Sequence, residues 1–439
     1  MKKLLALLLT LVMVLSLVAC GASEPTTGKK DPTTKPTTAP TNKPTDPTTV
    51  PTEPATAPTE PEVDSNLVSV DNDSFTFRVL SASGDADCYM LTVSAHNKTS
   101  ALLSFTISNI STNDYVCPDI FVYMDIDAGT EMTEVIRIER TVLDRNGITE
   151  PGKVEFNLSA MECTTWTEVY NDACTVYPQG EDSYVDDGGY SAKEGDTVVV
   201  DNDRVTVIVT GYEPNNEMGY TVNLYILNKT DVTLTFSMNN VTVNGLMLEN
   251  YWSADVAAGK RAHCSATWYG TEMTDYNIGD VTMIGFDLSA IDATDWEATD
   301  LAGASVTVYP MGEDAAKHFE RPEQDTDVVL MDNEYVTITA TSISMDADGN
   351  FNMVLYIENH ADITLFVKPN TVCINGLEKD PYWGATVSAG KATFSTISWY
   401  AFALQESDIT AVDTISMIMN VFNSDASETF VTEEITITP

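Results

Sequence analysis

Basic residues are scarce in this chain: 22 Lys and Arg stand against 66 Asp and Glu, a formal net charge of −44 over 439 residues. A surface so poor in cations cannot displace the counterions of a phosphate backbone, which excludes nucleic acid as a partner. Histidine is scarcer still. His96, His263, His318 and His360 are the only four, and no two of them stand at i, i+4, so a zinc site or a serine-type triad would have to be assembled from distant segments. There is no His-Glu-x-x-His, no Gly-x-Ser-x-Gly and no phosphate-cradling glycine loop ending in Lys-Ser/Thr. Beyond the first twenty residues no segment keeps a 3.6-residue apolar period, and no later apolar run is long enough to span a bilayer. These absences lead us to expect no enzyme, no cofactor and no resident metal.

What is present begins with an address. Met1-Lys2-Lys3 is cationic, and the apolar run from Leu4 to Val18 has the length of a signal peptide rather than of a membrane span. It ends in Leu17-Val18-Ala19-Cys20, which resembles the lipobox of bacterial lipoproteins. The resemblance implies cleavage after residue 19, a diacylglycerol on the Cys20 thiol, and a chain held on the outer face of the cell membrane. Residues 20–62 follow as a linker, Pro- and Thr-rich from residue 24 onward, which cannot bury a core and is expected to be disordered and extended.

The rest is one module written three times. Val70-Asp71-Asn72-Asp73, Val200-Asp201-Asn202-Asp203 and Met331-Asp332-Asn333-Glu334 are spaced by 130 and 131 residues. Asn97-Lys98-Thr99, Asn228-Lys229-Thr230 and Asn359-His360-Ala361 follow in register. So do Asn244-Gly245 with Asn375-Gly376, Trp252 with Trp383, and Trp268-Tyr269 with Trp399-Tyr400. In copy 2, Val222, Leu224 and Ile226 alternate with polar residues, a turn covers Asn228 to Asp231, and Leu234, Phe236 and Met238 alternate again. This pattern predicts a hairpin with one buried face, followed by strands at 261–269, 281–288 and 305–309. Period-two patterning, frequent turn signals and seven to nine strands per copy predict an all-β chain of three tandem antiparallel β-sandwiches. Their expected limits are 63–183, 196–314 and 327–439, with Gly- and Asp-rich separators at 186–195 and 315–326. The run Leu224 to Phe236 resembles the central hairpin of telokin-like, immunoglobulin-fold domains of Gram-positive surface lipoproteins, which implies an immunoglobulin-like fold and a surface address but no activity.

Four kinds of side chain remain as candidates for chemistry. Asp71-Asn72-Asp73, Asp125 with Asp127, and Asp346-Ala347-Asp348-Gly349-Asn350 offer hard oxygens, but the last lacks the glycine and the glutamate of a calcium loop and reads as a turn. Trp268 shares alternation with Ala262 and Ala266 and reads as core. Trp166 and Trp296 instead lie among polar residues before the last strand, where a loop tryptophan can serve as a ligand platform. Cys88, Cys117, Cys163 and Cys174 all fall in copy 1; Cys163 with Cys174 would clip its last hairpin, while Cys264 and Cys373 read as buried free thiols. The Asn-x-Ser/Thr triplets at Asn97, Asn109, Asn157, Asn228 and Asn240 read as Asn and Thr abundance. Together these features predict a non-enzymatic, lipid-anchored surface protein presenting three modules to an extracellular protein or glycan. The alternative is a structural spacer or envelope-maintenance component without a specific ligand.

Overall fold

Alternation of apolar and polar side chains folds each copy into nine strands. The computed structural model describes residues 67–295, 297–424 and 429–439, all within one compact unit. The expected signal peptide, the linker with Cys20, and Trp296 lie outside the described residues. Copy 1 comprises β1 (Ser69–Asp71), β2 (Phe75–Gly84), β3 (Cys88–Asn97), β4 (Leu103–Thr112), β5 (Tyr115–Val116), β6 (Val122–Ile126), β7 (Glu131–Glu139), β8 (Val154–Glu162) and β9 (Thr167–Val176). Copy 2 repeats them as β10 (Thr197–Asp201), β11 (Val205–Asn216), β12 (Gly219–Asn228), β13 (Leu234–Val243), β14 (Leu246–Met247), β15 (Ser253–Val256), β16 (Arg261–Tyr269), β17 (Ile284–Asp292) and β18 (Ala304–Val308). Copy 3 follows with β19 (Val328–Asp332), β20 (Val336–Met345), β21 (Phe351–Asn359), β22 (Leu365–Ile374), β23 (Leu377–Glu378), β24 (Ala385–Val387), β25 (Ala392–Trp399), β26 (Ile415–Asn423) and β27 (Thr429–Ile437).

Each copy is an immunoglobulin-like antiparallel β-sandwich. In copy 1 one sheet runs β1-β2-β3-β7; the other runs β4-β8-β9, with the short strands β5 and β6 on the free side of β4. Copies 2 and 3 repeat that order. The inward residues form three cores: Leu91, Val93 and Phe105 in the first, Leu224, Ile226 and Phe236 in the second, Leu355, Ile357 and Val367 in the third. Each such side chain contributes roughly 1.5–3 kcal/mol by leaving water.

The pairing of the central strands differs from expectation. Strands β12 and β13 supply the predicted inward faces, but β12 pairs with β11 and β16, and β13 pairs with β14, β15 and β17. The segment between them is a crossover from one sheet to the other, not a hairpin turn, so the two apolar faces meet across the core instead of lying side by side. Asn228 enforces this. Fully buried, it donates Nδ2 to the carbonyls of Val232 and Val256 at 2.8 Å each, and its Oδ1 accepts from the Thr230 amide and hydroxyl. Asn97 does the same toward Ala101 and Ile126, and Asn359 toward Ile363 and Val387. The crossover is thereby tied to the edge strands β6, β15 and β24.

Three one-turn helices were not foreshadowed by periodicity: α1 (Arg140–Arg145), α2 (Gly270–Asp275) and α3 (Ala401–Gln405). Five or six residues are too few to show a period, and the ends are set by backbone geometry. Gly147, Asn277 and Asp408 adopt positive φ, and the following amides of Ile148, Ile278 and Ile409 return to the carbonyls of Leu143, Met273 and Leu404. The Cys163–Cys174 clip is also corrected, since all six described cysteines are free. Cys174 lies opposite Phe156, seven residues along β8 from Cys163, or roughly 23 Å at strand rise, far beyond disulfide reach. Cys264 and Cys373 are half-buried rather than buried.

The segments read as separators instead help build junctions. Strand β5 runs parallel to β16, with Tyr115 opposite Arg261, and β14 runs parallel to β25, with Leu246 opposite Ala392 and Met247 opposite Thr393. One sheet of copy 1 therefore continues into copy 2, and one sheet of copy 2 into copy 3. Asp186 and Asp187 pair with Arg261 in the first junction, and Phe319 packs on Phe394 in the second. Removing the crossover pin by Asn228→Ala strands two buried carbonyls, and we expect a loss of about 3 kcal/mol, read as a lowered midpoint in denaturant melts; a change within about 0.5 kcal/mol would show that the crossover holds without it.

Candidate functional site

One position of the repeat exposes an aromatic ring in every copy. Phe121, Tyr251 and Tyr382 each stand five residues before the edge-strand residue whose carbonyl accepts the buried asparagine: Ile126, Val256 and Val387. They are 63%, 91% and fully exposed, respectively. Tyr251 holds this position at φ +47°, a left-handed conformation that costs a bulky residue roughly 1–2 kcal/mol. Beside it, Trp252 packs half-buried against the core of copy 2, and Trp383 packs against that of copy 3 with its Nε1 donating to Ser395 Oγ at 3.0 Å. The tryptophan anchors the loop while the adjoining tyrosine faces solvent.

In copy 3 the exposed ring borders a shallow cavity of about 450 Å³, lined by Phe366, Lys368, Pro381, Tyr382, Trp383 and Gly384. Gly384 is required here, because a Cβ at that position would lie 2.5 Å from Phe366 Cζ. Phe366 in turn meets Phe422 at 6.3 Å between ring centres. Flat apolar faces beside one ammonium group suit a sugar ring or an aromatic side chain of another protein.

The residues singled out from sequence are distributed as follows. Trp166 sits in the β8–β9 turn at φ +55° and 76% exposed, so its ring is presented to solvent rather than folded over the core edge. Trp268 and Trp399 are buried, their Nε1 groups donating to the carbonyls of Leu248 and Lys379. The acidic triplets build turns: Asn72, Asn202 and Asn333 each accept two backbone amides on Oδ1, and Asp346 accepts the amides of Asp348 and Asn350. No group of three His, Cys, Asp or Glu side chains is arranged for a metal among the described residues. Burial pushes the thiols of Cys117, Cys174 and Cys264 up to about 11, leaving them protonated at neutral pH. The exposed tyrosines escaped the sequence reading, which used only the tryptophans of Tyr251-Trp252 and Tyr382-Trp383 as repeat markers; the doubled dipeptide itself was the available signal.

The first junction concentrates charge. Asp114 Oδ1 accepts from Lys153 and Lys260 at 2.7 and 2.6 Å, and its Oδ2 accepts the Tyr184 hydroxyl at 2.7 Å. Burial alone would raise its pKa, but these three donors more than offset that and hold the carboxyl below the usual aspartate range. Arg261, buried, is bonded by Asp186 and Asp187, and its guanidinium lies over the Tyr115 ring, which stacks on His263. The Arg261 hydrogen bond likewise lowers Asp186. The second junction is aromatic, with Tyr276 stacked on Phe394 at 4.4 Å.

No family model and no curated protein sequence matches the chain. Among solved structures, a 1.5-MDa bacterial ice-binding adhesin, in a structure concerned with its retention at the host cell surface, shares 14% identity over 80% of this chain and 90% of its own, with a TM-score of 0.16. Red sea bream transglutaminase shares 11% over 56% and 31%, with a TM-score of 0.16, and the BSP domain of a biofilm-associated protein 8% over 86% and 99%, with a TM-score of 0.15. At these scores none of the likenesses carries an argument, and the fold rests on this chain's own strands.

Both depressed carboxyls contribute in full above the ordinary aspartate value of 3.8 and cease to do so as pH falls through their lower folded values. The Arg261 amide, which donates to the Asp114 carbonyl, is therefore expected to lose hydrogen-exchange protection on acidification below about pH 3.8. The Phe319 amide, which donates to the Asn244 carbonyl in the second junction beside the Arg321–Asp327 pair, is expected to lose less. Parallel loss at both amides would place the acid sensitivity elsewhere.

Proposed function

We propose that this chain is a lipid-anchored cell-surface protein without catalytic activity, whose three modules present an aromatic ledge for adhesion to an extracellular protein or glycan. The observation that carries this reading is the threefold recurrence of an exposed ring at Phe121, Tyr251 and Tyr382, kept in copy 2 at the expense of backbone strain and without burial in return. The lipobox-like Leu17 to Cys20 and the Pro- and Thr-rich composition of the linker support the surface address. Three weak contacts carried on one chain add through effective concentration, so no single site has to be deep. Trp166 offers a further exposed ring on the β8–β9 turn of copy 1.

A second reading, a spacer that holds its N-terminal attachment apart from its surroundings, draws support from the sheets that run through both junctions. Glycan and protein arrays probed with the purified protein separate the two. Adhesion is expected to appear as saturable binding that weakens at least tenfold in the combined variant Phe121→Ser, Tyr251→Ser and Tyr382→Ser, with thermal stability little changed because exposed side chains contribute within about 0.5 kcal/mol. Absence of saturable binding, or binding indifferent to the three substitutions, would leave the spacer reading standing.

A further inference from the structure

The two junctions are one contact made twice, and among the described residues copies 3 and 1 each carry one unmatched half of it. In each junction the hairpin after β4 or β13 lays a two-residue strand parallel to the edge of the next copy. Its second residue is apolar and covered: Val116 packs against the core of copy 2, and Met247 belongs to the core of copy 3. The receiving edge is covered as well, with Arg261 and Ala262 buried and Ala392 and Thr393 half-buried. Carried to the ends, the same register sets Leu377 of β23 opposite Glu131 of β7, and Glu378 opposite Met132. Among the described residues β23 pairs only with β22, and β7 only with β3. Leu377 is 47% exposed, Glu378 is exposed, and so is every residue from Glu131 to Glu134.

We propose that β23 of one molecule and β7 of a second copy of this chain are the halves of a head-to-tail contact, and that Glu131 and Glu378 hold that contact open. The occupant follows from continuity with an interface that the chain already forms internally in the same register. At the position where Val116 and Met247 enter the neighbouring copy, Glu378 would carry a carboxylate out of water without a cationic partner. At the position of Arg261 and Ala392 stands Glu131, a carboxylate set opposite the apolar Leu377, and Glu134 lies two residues beyond Met132, on the face that Glu378 would share, so two like charges approach across the would-be pairing. A head-to-tail contact does not close on itself and propagates into filaments; charged side chains on exposed edges are a general safeguard against such growth.

Sedimentation of the full-length protein over a concentration series tests this, with circular dichroism and thermal melts reporting folding. The wild type is expected to remain monomeric. Glu131→Ala with Glu378→Met recreates the residues of the second junction and is expected to bring concentration-dependent growth beyond the dimer, with self-association at least tenfold stronger. Glu131→Arg, which copies the acceptor of the first junction and removes the carboxylate opposite Leu377, provides an independent variant expected to move the same way. Adding Leu377→Asp to the double variant is expected to restore the monomer. The proposal fails if both variants fold and stay monomeric throughout the series, if the wild type itself polymerises, or if growth survives Leu377→Asp.

Discussion

A buried side-chain amide sets the geometry of each copy. Asn97, Asn228 and Asn359 sit where the chain leaves the first sheet for the second, and each satisfies donors and acceptors that water cannot reach. The bond to Ile126, Val256 or Val387 fixes the end of an edge strand, and five residues upstream of that bond stands the exposed aromatic ring. The asparagine's own backbone amide donates to the carbonyl of Thr130, Lys260 or Lys391, immediately before the edge that in copies 2 and 3 receives the preceding copy. Crossover, aromatic ledge and junction are thus referred to one polar pin. The same burial makes Asn97 and Asn228 unavailable as glycosylation acceptors in the folded protein.

The junctions share a backbone plan but differ in the chemistry that fastens it. Copies 2 and 3 turn from β13 to β14 and from β22 to β23 through Asn-Gly, with positive φ at both residues, the two-residue geometry that matches strand twist. Copy 1 places Asn113-Asp114 there, with Asp114 at φ +67°. A side chain at that position is strained, yet it is the one that binds Lys153, Lys260 and Tyr184. The strain is offset by a charge network spanning two copies, which the second junction replaces with stacked rings. Lys153, Lys260 and Arg261 all form ion pairs where copies 1 and 2 meet.

The repeat made much of this fold readable. Inward positions such as Leu224, Ile226 and Phe236 were evident from alternation, because a strand in a sandwich must show one face to the core. Alternation does not say whether two successive strands pair or face each other, since both arrangements bury the same residues, and so β12 and β13 read as a hairpin. The one-turn helices lie below the length at which a period can be seen. Cys163 and Cys174 looked close because they flank a turn; pairing register places them at opposite ends of a hairpin. The exposed tyrosines were hidden by their neighbours, whose tryptophans drew notice as repeat markers while the adjoining rings carried the surface.

Sequence alone determined the number of modules, their all-β character, the inward residues and the acidity of the surface, because each is a local or periodic property of the chain. Tertiary structure alone decided which sheet each strand joins, which aromatic rings stay in water, and how one copy docks on the next. Those outcomes depend on contacts between residues far apart in the chain, such as Arg261 with Asp186 or Asn228 with Val256, and no pattern within one strand specifies them.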